Sequence, residues 1–145
     1  MQASIEGFLD GSAPDGDFAL EYHIGNSFSG ETRLRLRGTG DYEAFSTVTE
    51  GRRQLDFQGR LERARVERLV AALRDARVWE ARPADRERML DDPLAAIVVS
   101  RGGEEDRVAL PASHISAVAP FAAAQAAILE LVREVSGGAV LEAGR

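Results

Sequence analysis

Two histidines, His23 and His114, are the only imidazoles in 145 residues, and neither cysteine nor lysine accompanies them. All 18 basic residues are arginine. Thiol nucleophiles, zinc fingers, iron–sulfur sites and disulfide scaffolds therefore drop out, as do Schiff-base chemistry and the lysine of a phosphate-binding P-loop. Serine, histidine and carboxylate remain for nucleophilic or acid–base work. Ser113 and Ser116 flank His114, so that a distant aspartate would complete a hydrolase triad. No Gly-x-Ser-x-Gly elbow is present, and the pattern offers no parallel sheet to carry one. A histidine just before a helix reads instead as a turn or capping residue. His23 lies on the polar side of an alternating segment and reads as the partner of Glu21 or a neighbouring carboxylate.

Two acidic clusters, Asp91-Asp92 and Glu104-Glu105-Asp106, are the places where oxygen ligands for a divalent cation would be sought. Neither these nor Asp15-Gly-Asp17 has the spacing of a calcium loop. Glu104–Asp106 reads as a solvated hairpin tip. Gly38-Thr-Gly40 begins like a dinucleotide fingerprint, but Glu43 stands where the third glycine belongs, and the segment joins strand to strand. The expectation is a protein with no catalytic constellation, no cofactor and no metal.

The elements that carry these residues follow from periodicity. Residues 18–24 alternate, with Phe18, Leu20, Tyr22 and Ile24 on one face and Ala19, Glu21 and His23 on the other. A Gly/Ser-rich turn (25–30) leads to 32–37, where Leu34 and Leu36 alternate with Arg33, Arg35 and Arg37. Residues 42–49 and 53–58 complete a four-strand meander. The period then changes: Val66, Leu69, Val70 and Leu73 form a helical stripe within 62–76. After a charged connection (81–92), residues 94–100 and 107–110 read as a hairpin. A second helix follows, with Pro120 in its first turn and Gly137-Gly138 as its stop. The expected fold is α+β: an antiparallel sheet of about six strands in the order ββββ-α-ββ-α, with two helices on one face. Residues 1–17, broken by Gly7, Gly11, Pro14 and Gly16, read as a loose arm; 18–137 read as one domain and 138–145 as a frayed tail.

The net charge is −6, unevenly spread: residues 1–31 carry six acids and no arginine, whereas 32–77 carry eleven arginines against seven acids. A basic middle invites nucleic acid, but the acids of the first strand lie opposite the arginines of the second. Pairing within the sheet accounts for the pattern and argues against a nucleic-acid partner. The N-terminus has no basic leader, and the apolar stretch 117–135 is interrupted by Pro120, Gln125, Glu130 and Arg133, so no membrane segment is expected and the location reads as cytoplasmic. Phe28, between Asn26-Ser27 and Ser29 in the first turn, is an apolar aromatic on a loop tip, suited to a partner's pocket.

The glycine-bounded turn holding Phe28, the helix with Val66, Leu69 and Leu73, the Val78-Trp79 that follows, the Asp91-to-Leu110 hairpin and the last helix together resemble the emfourin type of small metalloprotease inhibitor, and equally several bacterial α+β domains of the same layout. The likeness spans 18–135. Two strands (42–49 and 53–58) and Asn26-Ser27 depart from the family pattern. The resemblance implies that the Phe28 loop contacts a partner. The reading is thus a non-catalytic protein-interaction domain with an unidentified protein partner, the candidate contacts being Asn26, Ser27, Phe28, Arg33, Arg35 and Arg37; the alternative is a metalloprotease inhibitor.

Overall fold

The alternation that begins at Phe18 produces the central strand, β1 (Phe18–Asn26). The computed structural model describes residues 1–26, 30–48, 53–87 and 89–138. On one side β1 pairs with β2 (Gly30–Arg37), followed outward by β3 (Asp41–Val48) and β4 (Arg53–Arg60); on the other it pairs with β5 (Leu94–Arg101) and then β6 (Glu104–Pro111). All neighbours are antiparallel. The chain leaves β4 at one edge and returns to β5, beside β1, through helix α2 (Arg63–Ala76). After β6, a 3-10 segment (Ala112–Ala117) leads into α3 (Ala119–Val135).

Pairing register carries the alternation across the sheet. Leu20, Tyr22 and Ile24 stand opposite Leu36, Leu34 and Thr32 on one side and Val99, Ile97 and Ala95 on the other. All nine are buried. The polar exception, Thr32, meets Ser46 across the β2–β3 pair, their hydroxyl oxygens 3.3 Å apart. This inner face shares one core with the expected stripe of α2 and with Phe121, Ala124, Ile128, Leu131 and Val132 of α3. The Gln125 amide of α3 donates to the Tyr22 hydroxyl at 2.9 Å, which ties the helix layer to the middle of the sheet. At the hairpin end of β1, Gly25 has φ +119°, and a Cβ there would lie 2.1 Å from the Gly30 carbonyl oxygen, so only glycine fits.

The α+β class and the six-strand antiparallel sheet agree with the sequence reading; two details differ. The expected loose arm contains a third α-helix, α1 (Gln2–Leu9), so the order is α-ββββ-α-ββ-α. Ile5 and Phe8 are 0% exposed. Phe8 stacks on Phe18 with ring centroids 4.5 Å apart, and the Arg63 guanidinium lies 4.8 Å from its ring centroid. Gly7, a breaker by type, is instead a place of close approach: a Cβ there would stand 2.1 Å from Nη1 of Arg101. That nitrogen donates to the Ala3 carbonyl at 3.2 Å, which binds the helix to the end of β5. The second difference is the β5–β6 turn. Gly102 and Gly103, with φ of +56° and +90°, form a two-residue hairpin connection. Glu104, Glu105 and Asp106 therefore belong to β6 and are not the hairpin tip. Of the expected tail only Gly138 is described, within the turn that ends α3, and 139–145 lie outside the described residues.

A docked α1 has a measurable consequence. Phe8→Ala removes a fully buried ring and destabilises the protein by about 3–5 kcal/mol in urea unfolding, whereas substitution in a loose arm would leave the midpoint unchanged.

Candidate functional site

With the helices on the inner side, the opposite sheet face carries most of the residues singled out from sequence. From β3 through β2 to β1 its rows read Thr47–Glu31–Gly25, Phe45–Arg33–His23 and Glu43–Arg35–Glu21. Arg37 stands opposite Ala19 in the next row. Within the arginine column of β2, Arg35 thus stands between two acids, Glu43 and Glu21, whereas Arg33 stands between Phe45 and His23. Arg35 Nε donates to Glu21 at 2.9 Å. Arg33 donates to Glu31 at 3.1 Å and lies 5.4 Å from the Phe45 ring centroid. His23 Nε2 is 2.7 Å from Glu31, so its partner is Glu31 and not Glu21. Glu31 consequently receives two cationic or donor groups. The His23 hydrogen bond, with Arg33 assisting, holds its carboxyl below the ordinary value against the opposing effect of burial.

Arg37 makes no ion pair among the described residues. It borders a shallow open groove of about 420 Å³ with Arg35, Asp41, Tyr42, Glu43, Gln58 and Gly59. Acids and bases alternate on this face. It has the character of an internally paired polar surface and offers no continuous cationic track of the kind that follows a phosphate backbone. Of the other candidate contacts, Ser27 and Phe28 lie outside the described residues. Asn26 ends β1, its backbone paired with Gly30.

The structure separates the would-be triad. His114 is 4% exposed, in the 3-10 segment, and among the described residues neither ring nitrogen has a hydrogen-bond partner. Ser113 turns away from it: its hydroxyl donates to Asp92, whose other carboxylate oxygen accepts the Ser113 N–H at 3.0 Å. Arg86 donates to the Ser113 carbonyl at 2.9 Å. Asp92, a ligand candidate by type, is thus the anchor that fastens the 81–93 connection to the start of the 3-10 segment. Ser116 is exposed. Among the described residues no group of three or more acids or histidines converges in a way that would hold a metal ion, and no helix is long and apolar enough to cross a membrane.

One feature was missed from sequence. Met89, Leu90 and Leu94 are 68%, 93% and 37% exposed, the large apolar side chains most open to water among the described residues. The first two sit inside the connection that reads as charged, and a Met-Leu pair between Arg88 and Asp91 was the available signal. Leu94 opens β5 opposite Gly25 on one side and Pro111 on the other. Leu94 therefore lies at the end of the sheet where the β1–β2 hairpin turns, and Met89 and Leu90 precede it by five and four residues in the chain. The chain matches no protein-family model and no curated protein sequence.

Two outcomes follow. Because folding lowers the Glu31 pKa, its contribution to stability is complete above the unfolded value and is lost as pH falls through the folded one. Glu31→Gln should be less stable than wild type by about 0.2–1 kcal/mol near pH 7. Urea unfolding repeated at lower pH should show this gap closing across the carboxylate range. His114 leaves two buried polar atoms unpaired, and each such group costs about 1–3 kcal/mol. His114→Leu should thus raise the unfolding midpoint; a lowered midpoint would show that the ring is held by polar contacts.

Proposed function

We propose that this chain is a non-catalytic protein-interaction domain that takes its partner at the end of the sheet formed by the β1–β2 hairpin and the start of β5. The observation that carries the reading is the exposed set Met89, Leu90 and Leu94, the last of them beside the hairpin whose turn contains Phe28. Leaving Leu90 in water forgoes burial worth about 1.5–3 kcal/mol, with smaller shares for the partly covered Met89 and Leu94, and a partner surface would recover that burial. The rest of the molecule is organised as a support: a filled core, a sheet face whose charges are mostly satisfied from within, and a histidine–serine–aspartate set with no shared geometry. Asn26, Ser27 and Phe28 extend this contact through the turn. Arg33, Arg35 and Arg37 form its polar flank. In this reading the domain acts in the cytoplasm and recognises a protein surface with an apolar pocket, not a nucleic acid.

The hairpin also sustains a second reading, that of an emfourin-like metalloprotease inhibitor. It is supported by the β1–β2 pairing, which closes at Asn26 and Gly30 on either side of the segment that carries Phe28 in the sequence. The two readings separate by incubation with a thermolysin-like peptidase. Inhibition at micromolar protein, weakened by Phe28→Ala, selects the inhibitor. Unaffected peptidase removes it.

The leading reading is tested with Leu90→Asp. At 93% exposure this substitution should change stability by no more than about 0.5 kcal/mol. Capture from the source cells with wild-type bait should enrich a partner that Leu90→Asp and Phe28→Ala baits lose. Equal recovery by all baits, or catalytic turnover that His114→Ala abolishes, would overturn it.

A further inference from the structure

Among the described residues β6 is an edge strand, with β5 on one side only. In an antiparallel strand every second residue directs its N–H and C=O away from its neighbour, so an edge strand presents a row of unpaired donors and acceptors. Along Asp106–Ala109 this row faces an extended stretch of chain, Ala81 to Pro83, preceded by Trp79. Between them runs an open groove of about 380 Å³. Among the described residues no backbone hydrogen bond crosses it. Trp79 and Pro83 are its more exposed apolar walls, with the buried Ala81 and Val108 and the half-buried Met1 and Ala109 beside them, and two arginines, Arg82 and Arg107, line it as well. Neither arginine is paired with a carboxylate among the described residues; Arg82 donates only to the carbonyls of Trp79 and Ala81, at 3.0 and 2.8 Å. The one acid in the lining, Asp106, is occupied by the Met1 amino group.

We infer that this groove is a β-augmentation site for an extended acidic segment of a partner protein. The β6 edge supplies main-chain hydrogen bonds, Trp79 and Pro83 receive apolar side chains, and Arg82 and Arg107 select for carboxylates. Three features converge here: an unpaired strand edge, a second wall at its side, and two cations without anionic partners. The inference does not rest on the reading above, since Leu90→Asp and Phe28→Ala leave this groove untouched.

Trp79 is the only tryptophan, so its emission reports on the groove alone. A suitable probe is a capped six-residue peptide alternating aspartate with valine, titrated into the full chain. It should give a saturable change in Trp79 emission with a midpoint of about 100 µM or tighter. Arg82→Glu with Arg107→Glu should weaken binding roughly tenfold or more, as should lysine in place of aspartate in the peptide. Both arginines are exposed, so the double variant should keep the wild-type circular dichroism. N-methylation of alternate peptide residues, which removes the main-chain donors, should abolish binding. No saturable change up to about 1 mM peptide, or equal binding of the N-methylated peptide, overturns the inference. An equal response to an oligothymidylate would make the groove a general anion site, and concentration-dependent self-association that itself shifts Trp79 emission would make it an interface between two copies; either also overturns the inference.

Discussion

The register of β1 between β2 and β5 determines which residues this protein shows to solvent. A slip of one residue on either side would bring Arg33 and Arg35 into the core and turn Leu34 and Leu36 outward. The inner row cannot accept such a change, because Leu20, Tyr22, Leu34, Ile97 and Val99 are fully buried beneath the helices. Tyr22 fixes the register further. Its ring is enclosed, and its hydroxyl is engaged by Gln125 from α3 at 2.9 Å. An arrangement that kept Tyr22 buried but parted its hydroxyl from Gln125 would cost about 1–3 kcal/mol for the lost partner. The helix layer and the sheet thus specify one another through a polar contact inside an apolar core.

The same register organises the charges. Once the leucines of β2 face inward, its arginines must form a column on the outer face, and like charges at two-residue spacing repel unless their neighbours compensate. Glu21 and Glu31 supply that compensation within hydrogen-bonding distance. Such exposed pairs contribute little to stability individually. Their structural effect is to commit Arg33 and Arg35 to the sheet; Arg37 on the sheet face and Arg82 and Arg107 beside the β6 edge are among the arginines that form no carboxylate pair among the described residues. Arginine suits both tasks because its planar fork can hold a carboxylate in fixed geometry and still lie over an aromatic ring, as Arg33 does over Phe45 and Arg63 over Phe8.

Features set by local periodicity were legible in the sequence, and features set by contact between distant segments were not. The faces of β1 and β2 and the stripe of α2 follow from spacing alone, because a period of two or of 3.6 leaves one arrangement that buries the apolar set. The first seventeen residues were misread for a definite reason. Gly7 and Gly11 suggest a broken chain, but what makes a helix there is Phe8 closing on Phe18 and Arg101 crossing at Gly7, and neither partner is near in sequence. The sequence likewise marked Asp92 as a ligand candidate, while its role depends on Ser113, twenty-one positions away. Met89 and Leu90 were hidden by the charges around them. Apolar residues count as core in a reading by pattern, and only the folded chain shows that these two stand largely in water.

That last distinction bears on how the protein would work. Several of the polar groups buried here are engaged with one another: Asp92 with Ser113, Thr32 with Ser46, Tyr22 with Gln125. Beyond the two ring nitrogens of His114, which have no partner among the described residues, unsatisfied capacity lies at the periphery, as apolar side chains beyond the start of β5 and as main-chain groups with neighbouring arginines along β6. Both kinds are satisfied by another polypeptide, the first by an apolar pocket and the second by an added strand. They also lie on opposite sides of the same hairpin: Leu94 at the open end of β5, Asp106 to Ala109 along the outer side of β6. Since β5 and β6 are joined by full-length pairing from Arg101↔Glu104 to Leu94↔Pro111, the hairpin is stiff enough to hold both surfaces in fixed relation. A partner long enough to reach both would gain the second contact at little further entropic cost.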